Sequence, residues 1–230
     1  VLDAGTYYWR VDEYNGTIMT IGDVWFFTAA GIEIDDFDYA DTDTLLAVWT
    51  AGTGAELAMV SDATQVNLNY DNKSFPYYSE VTRIPPFADF TAYDLKSLDI
   101  SFFGNGFNSA EPVYVTLSDG TITATVQCPA PMTSAQPVWQ TWRIALAEFT
   151  QANASLDLTN IQAISFGIGD KNNPQAGGEG TVTFDDILLF EPRCLDNSVY
   201  GDLNGDCRVN LDDFGVLAKQ WQDNNLWPEE

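Results

Sequence analysis

Among its 230 residues the sequence contains no histidine. That absence excludes His-based general acid–base catalysis, the Ser-His-Asp and Cys-His constellations, and nearly every catalytic zinc site. Basic residues are scarce: nine lysines and arginines stand against 34 aspartates and glutamates, for a formal charge of -25. Non-specific nucleic-acid binding needs lysine and arginine to displace counterions from phosphate, so it is excluded. Attraction to anionic membranes fails for the same reason. No run of about 18 apolar residues exists, so no membrane insertion is expected. Three cysteines are too few for a disulfide scaffold. No signal-peptide pattern opens the chain, and Val1 is expected to begin a mature piece or a fragment of a longer protein.

What is present points to a packed protein. The apolar share of 45% and plentiful aromatics allow a proper core rather than disorder. The length leaves room for one or two domains.

Near the start, Tyr7, Trp9 and Val11 alternate with Tyr8, Arg10 and Asp12, the period-two pattern of a half-buried strand. Residues 24–28 read as a second strand, connected through Asn15-Gly16. A lone hairpin is marginal in water, so something must cover its aromatic face. Either a domain has been cut here, or the hairpin completes the sheet of a neighbouring subunit by strand addition. The second arrangement is head-to-tail and builds a fibre unless it closes into a ring.

In the central body, strand-like runs recur at 56–61, 65–70, 79–84, 97–103, 113–118, 121–127, 140–145, 163–168 and 181–190. Turn residues separate many of them, as in Asp71-Asn72, Gly104-Asn105-Gly106 and Asp119-Gly120. No long helical period intervenes, and residues 146–150 supply a single helical turn at most. The fold class expected is mainly β, an antiparallel jelly-roll β-sandwich.

Near the C-terminus, Asp202, Asn204, Asp206, Asn210 and Asp213 occupy positions 1, 3, 5, 9 and 12 of a twelve-residue window. That spacing suits Ca²⁺, with the Arg208 carbonyl at position 7. Phe214, Leu217, Ala218 and Trp221 then follow at the spacing of one helical face. Position 6, usually glycine, is Cys207; a left-handed residue there costs about 1 kcal/mol or more. A Cys194–Cys207 disulfide can form in an oxidising compartment and offset that cost, leaving Cys128 unpaired.

Several stretches resemble known families. Residues 2–11 and 24–28 resemble the last two strands of a fibronectin type III domain. Ile34-Asp35-Asp36-Phe37-Asp38, Trp142-Arg143-Ile144-Ala145-Leu146, residues 158–167 and Thr181-Val182-Thr183-Phe184-Asp185-Asp186-Ile187 together resemble galactose-binding-like carbohydrate-binding modules. Residues 70–80 and 169–174 look like a module of large secreted planctomycete proteins. Residues 201–214 are similar to one dockerin repeat, and only one such repeat is present. The domains expected are therefore 1–31, 32–193 and 194–230.

These resemblances carry implications. In such modules a structural Ca²⁺ commonly joins the first and last strands, which nominates Glu33, Asp36, Asp38 and Asp185. A glycan-binding face needs exposed aromatic rings to stack on pyranose C–H surfaces. Tyr70, Tyr77, Tyr78, Phe107, Trp139 and Trp142 are the candidates, with Trp142 expected in the core. Glycosidase chemistry needs two carboxylates at a set separation, but the resembled modules are non-catalytic, so no enzyme is expected. The function implied is an extracellular or cell-surface module for glycan adhesion or assembly, binding a polysaccharide or a cohesin-like protein. The alternative is a fibre subunit that self-assembles through its hairpin.

Overall fold

Strand by strand, the apolar side chains of the central body fall in phase and turn to one side. In a computed structural model, residues 5–14, 19–22, 24–29, 31–60, 64–193, 201–203 and 207–219 are described. The chain divides into two compact units, residues 1–191 and 192–230.

The first unit opens with β1 (Gly5–Trp9), β2 (Glu13–Tyr14), β3 (Met19–Thr20) and β4 (Trp25–Ala29). As the sequence predicts, the first strand returns antiparallel to the last, Trp9 opposite Trp25. β2 and β3 form a smaller hairpin inside the connection. The side chains of Trp9, Val11, Tyr14, Met19, Ile21 and Val24 are exposed.

The sandwich follows in chain order. Its elements are β5 (Ile32–Asp35), α1 (Thr42–Val48), β6 (Thr50–Ala51), β7 (Ala55–Met59), β8 (Val66–Asp71) and β9 (Ser79–Arg83). Then come β10 (Ser97–Phe103), β11 (Val113–Ser118), β12 (Thr123–Gln127), β13 (Trp139–Ala145), α2 (Leu146–Ala152), β14 (Ala163–Ile168) and β15 (Glu179–Phe190). One sheet has the order β13-β10-β15-β8-β7, with β5 on the far half of β15. The other has the order β12-β11-β14-β9-β6. Every pairing is antiparallel.

Alternation explains which residues enter the core. Leu98, Ile100 and Phe102 of β10 turn inward, as do Val113, Val115 and Leu117 of β11 and Ile164, Phe166 and Ile168 of β14. Between the sheets Trp49, Phe166 and Phe184 pack ring against ring, with centroids 4.9 Å and 4.3 Å apart. Each such ring contributes roughly 1.5–3 kcal/mol by leaving water.

Two helices depart from expectation. α1 was not foreseen; the Asp41 carboxylate starts it by accepting from the Thr44 N–H at 2.8 Å, and Leu45 anchors it in the core. α2 extends beyond the expected turn because Leu146 and Phe149 both reach the core.

Cys128 is free and buried, its thiol donating to the Met132 carbonyl at 3.1 Å. In the second unit, α3 (Leu211–Lys219) follows the loop as the sequence predicts. Cys207 has φ of 67° and is disulfide-bonded, matching the left-handed backbone expected at that position. Cys194 and Trp221 lie outside the described residues.

Candidate functional site

The outer face of the second sheet carries a row of hydroxyls that crosses all five strands. Cross-strand register aligns Thr125, Thr116, Ser165, Thr82 and Thr50. The row is about 19 Å long, four strand spacings of about 4.8 Å. Thr116 bonds Thr125 at 2.8 Å, and Thr82 bonds Ser165 at 2.7 Å.

Beside it runs a second row, Gln127, Tyr114, Gly167 and Glu80. Gly167 permits the Tyr114 ring to lie across the sheet, since a Cβ there would stand 2.6 Å from the phenol. The Tyr78 ring meets Tyr114 edge-on, with centroids 6.2 Å apart. Lys171 lies over both rings, 5.6 Å and 5.8 Å from their centroids, and pairs with Glu80 at 2.6 Å. The cation and the two ring faces attract one another electrostatically. Burial, with the Glu80 charge behind it, holds the Tyr78 hydroxyl above its ordinary pKa. A partly exposed ring therefore sits on a fixed base at the edge of a hydroxyl floor.

The aromatic residues singled out in the sequence do not converge. Tyr78 lies at this face, and Tyr77 is half-buried in the same loop, edge-to-face with the exposed Phe75. Tyr70 is a correction. It alternates in phase with Val66 and Leu68, so it points into the core, where its hydroxyl donates to the Ser109 carbonyl at 3.1 Å. A ring so buried cannot stack on a sugar. Trp139 is half-exposed on the opposite sheet, against Phe103. Trp142 is in the core, as expected. Tyr114 and Lys171 were missed; Tyr114 looks like a core residue inside Val113-Tyr114-Val115.

The first and last strands of the sandwich, β5 and β15, do pair, with Asp35 opposite Ile187 and Glu33 opposite Leu188. The carboxylates at this junction divide into two kinds. Asp35, passed over in the sequence, is buried and fully partnered. It accepts from the Trp49 indole at 2.8 Å, the Tyr39 hydroxyl at 2.6 Å and the Phe37 N–H at 2.8 Å, and it pairs with Arg83.

Glu33, Asp36 and Asp185, together with Asp186, repel one another at this junction, and the Arg83 charge offsets only part of that at Glu33. Burial raises the pKa of Glu33, and the charges of Asp36, Asp35 and Asp186 raise it further. Asp185 is raised by burial and by Asp186, and Asp186 by burial and by Asp36. Strict alternation would send Asp185 and Asp186 to opposite faces. Instead the register shifts there, Asp186 takes φ of 44°, and both feel Asp36. Asp38 is exposed, its N–H donating to Asp36 at 3.0 Å. A pocket of about 280 Å³ opens beside them, lined by Glu33, Asp36, Tyr39 and Arg83 among others. Among the described residues, no three carboxylates gather closely enough to hold a metal ion as they stand.

In the second unit, Asp213 is buried. Its two oxygens accept from the N–H groups of Leu203 and Asn210, both at 2.7 Å. Asp202 accepts from the Cys207 N–H at 2.8 Å, and Asn210 from the Asp212 N–H at 2.6 Å. The first and last carboxylates of the window, Asp202 and Asp213, thus both accept backbone N–H groups of the same segment. Arg208 is exposed, while Asn204 and Asp206 lie outside the described residues.

The family model for carbohydrate binding domain 30 matches residues 39–190. Among solved structures, a family 11 carbohydrate-binding module from Clostridium thermocellum, in complex with a β-1,3-1,4-mixed-linked tetrasaccharide, superposes with a TM-score of 0.50 at 18% identity. The match covers 71% of this chain and 97% of that one. A family 30 module of a cellulosomal cellulase of Clostridium thermocellum matches at 0.49 and 16% identity, covering 70% and 98%. An exo-β-agarase matches at 0.50 and 13% identity, covering 72% of this chain and 25% of that one. No curated protein sequence matches the chain. At such identities the first and third likenesses show the fold, a two-sheet β-sandwich.

Proposed function

The chain belongs to the carbohydrate binding domain 30 family, and from that premise we propose that it binds a β-glucan chain on the outer face of its second sheet. Residues 39–190 form a non-catalytic carbohydrate-binding module. The observation that carries the choice of face is the Tyr78 ring, fixed by Tyr114 and Lys171 beside five aligned hydroxyls. A pyranose stacks its C–H surface on the ring, and its hydroxyls exchange hydrogen bonds with Thr50, Thr82 and Thr125, since Thr116 and Ser165 of the row are buried. The β-1,3-1,4-linked tetrasaccharide bound by the family 11 module supports a glucan as the ligand class.

Tyr78→Ala should weaken binding of a soluble β-glucan about ten-fold, the equivalent of one lost stacking contact. Tyr78→Phe, which keeps the ring, should restore it. Calorimetric titration reads both, and unchanged affinity in Tyr78→Ala would discard this face.

Calcium belongs to the same proposal. Ca²⁺ drawn to Glu33, Asp36 and Asp185 would relieve their mutual repulsion, and a second ion would take the 202–213 loop. An extracellular setting accords with both ions and with a disulfide at Cys207. A second reading, assembly into a fibre through the N-terminal hairpin, is favoured by the exposed Trp9, Val11, Tyr14, Ile21 and Val24. Size-exclusion chromatography at rising concentration decides it: growing species support assembly, and a constant monomer removes it.

A further inference from the structure

The opposite sheet carries a row of its own. Cross-strand register aligns Trp139, Phe103, Thr183, Asn67 and Ala58 over five strands, again about 19 Å. One end is aromatic, with the half-exposed Trp139 ring 5.7 Å from Phe103.

The middle is a set of oriented amides. The Thr183 hydroxyl donates to the Asn67 side-chain oxygen at 2.7 Å, and Thr181 does the same to Asn69. Each asparagine oxygen thereby accepts from a threonine, which fixes the amide, and its N–H groups are the donors it can offer a ligand.

A third aromatic follows β10 in the chain. Phe107 is fully exposed, on the loop that leaves β10 at Phe103. That loop is firmly held: Asn108 donates to the carbonyls of Ser134 and Thr181, both at 2.7 Å, and Gly104 donates to Gln136 at 2.9 Å. The half-exposed Trp139 ring against Phe103 and the exposed Phe107 ring, on a fixed scaffold, mark a contact surface.

Charge identifies the occupant. In a chain of net charge -25, this row holds no ionisable side chain; Glu56, Asp185 and the Arg143–Asp99 pair lie in neighbouring rows. An uncharged, hydroxyl-rich ligand suits it, and an anionic one is repelled by the rest of the surface.

We infer that the outer face of the first sheet is a second glycan-contact face, taking a neutral polysaccharide across the row from Trp139 to Asn67. This rests on the chain being a glycan binder, but not on the Tyr78 face. The module would then grip polymer on both sides and could bridge two chains.

Calorimetric titration with a soluble β-linked gluco-oligosaccharide tests it, using Trp139→Ala, Asn67→Asp and Tyr78→Ala, each checked for folding by circular dichroism. Two binding events are expected for the unaltered protein. Trp139→Ala and Asn67→Asp should each weaken one by about ten-fold, and Tyr78→Ala the other. A single event, abolished by Tyr78→Ala and untouched by the other two, overturns this face and leaves the proposed function standing. A single event lost only in Trp139→Ala and Asn67→Asp supports this face and removes the Tyr78 site. No binding by the unaltered protein overturns both.

Discussion

At the junction of the first and last sandwich strands, Asp35 and its neighbours show two uses of the same side chain. Asp35 is enclosed by an indole N–H, a phenol, a backbone N–H and a guanidinium. Glu33 and Asp36 stand beside it in the chain, Asp185 and Asp186 on the paired strand, and these four mainly push on one another. The first arrangement is complete without a ligand. The second stays electrostatically unrelieved until a cation or a proton arrives. Chemical type alone does not separate a structural carboxylate from a binding one; the supply of donors does.

The largest expected effect breaks the enclosed half. Removing one partner of a buried ion pair leaves an uncompensated charge and costs about 3–5 kcal/mol. Asp35→Ala should lose that much in urea denaturation, because Arg83, Trp49 and Tyr39 all lose their acceptor. Replacing both partners, as in Asp35→Leu with Arg83→Met, should cost less than Asp35→Ala alone. If Asp35→Ala melted like the unaltered protein, the two kinds of carboxylate would be one.

The unrelieved half should respond to solution conditions instead. Ca²⁺ at about a hundred times its dissociation constant should stabilise the fold by about 2.7 kcal/mol, and a chelator should reverse it. Asp185→Asn should blunt the response, read as the shift in thermal midpoint.

Protons relieve the same repulsion. Glu33, Asp185 and Asp186 have raised pKa values in the fold, so the folded state holds their protons more tightly than the unfolded state. Their contribution to stability is therefore greatest below the ordinary carboxylate pKa of about 4 and is lost as pH rises through the raised values. The opposite group lies lower. Asp41, Asp89 and Asp119 are held down chiefly by hydrogen bonds from Thr44, Thr91 and Ile122, and their contribution is lost only as pH falls below about 4. Glu33→Gln should flatten the upper limb of the stability profile and leave the lower one unchanged.

Much of the fold was legible because the strands are short and evenly punctuated. The expected limits of β10, β11 and β14 coincide with those observed, since each alternates cleanly between turn residues. Helix α1 was not legible as a helix. Only Leu45 of its seven residues is buried, so no periodic stripe appears, and its one local sign was Asp41 as a cap. Tyr70 could have been placed in the core by its phase with Val66 and Leu68. That Tyr78 and Trp139 face opposite ways could not be read, because strand order decides it, and β13 neighbours β10 rather than β14. Asp35 needed Arg83 and Trp49 beside it before its role emerged.

Cys128 gives the molecule an internal clock. The thiol is buried, bonded to the Met132 carbonyl and held above its ordinary pKa by desolvation, so little thiolate is available to a reagent. It can be alkylated only when the strands around it part. In the unaltered protein, the rate at which an alkylating reagent labels this free sulfur therefore counts openings of the sandwich under native conditions, with no denaturant and no introduced cysteine.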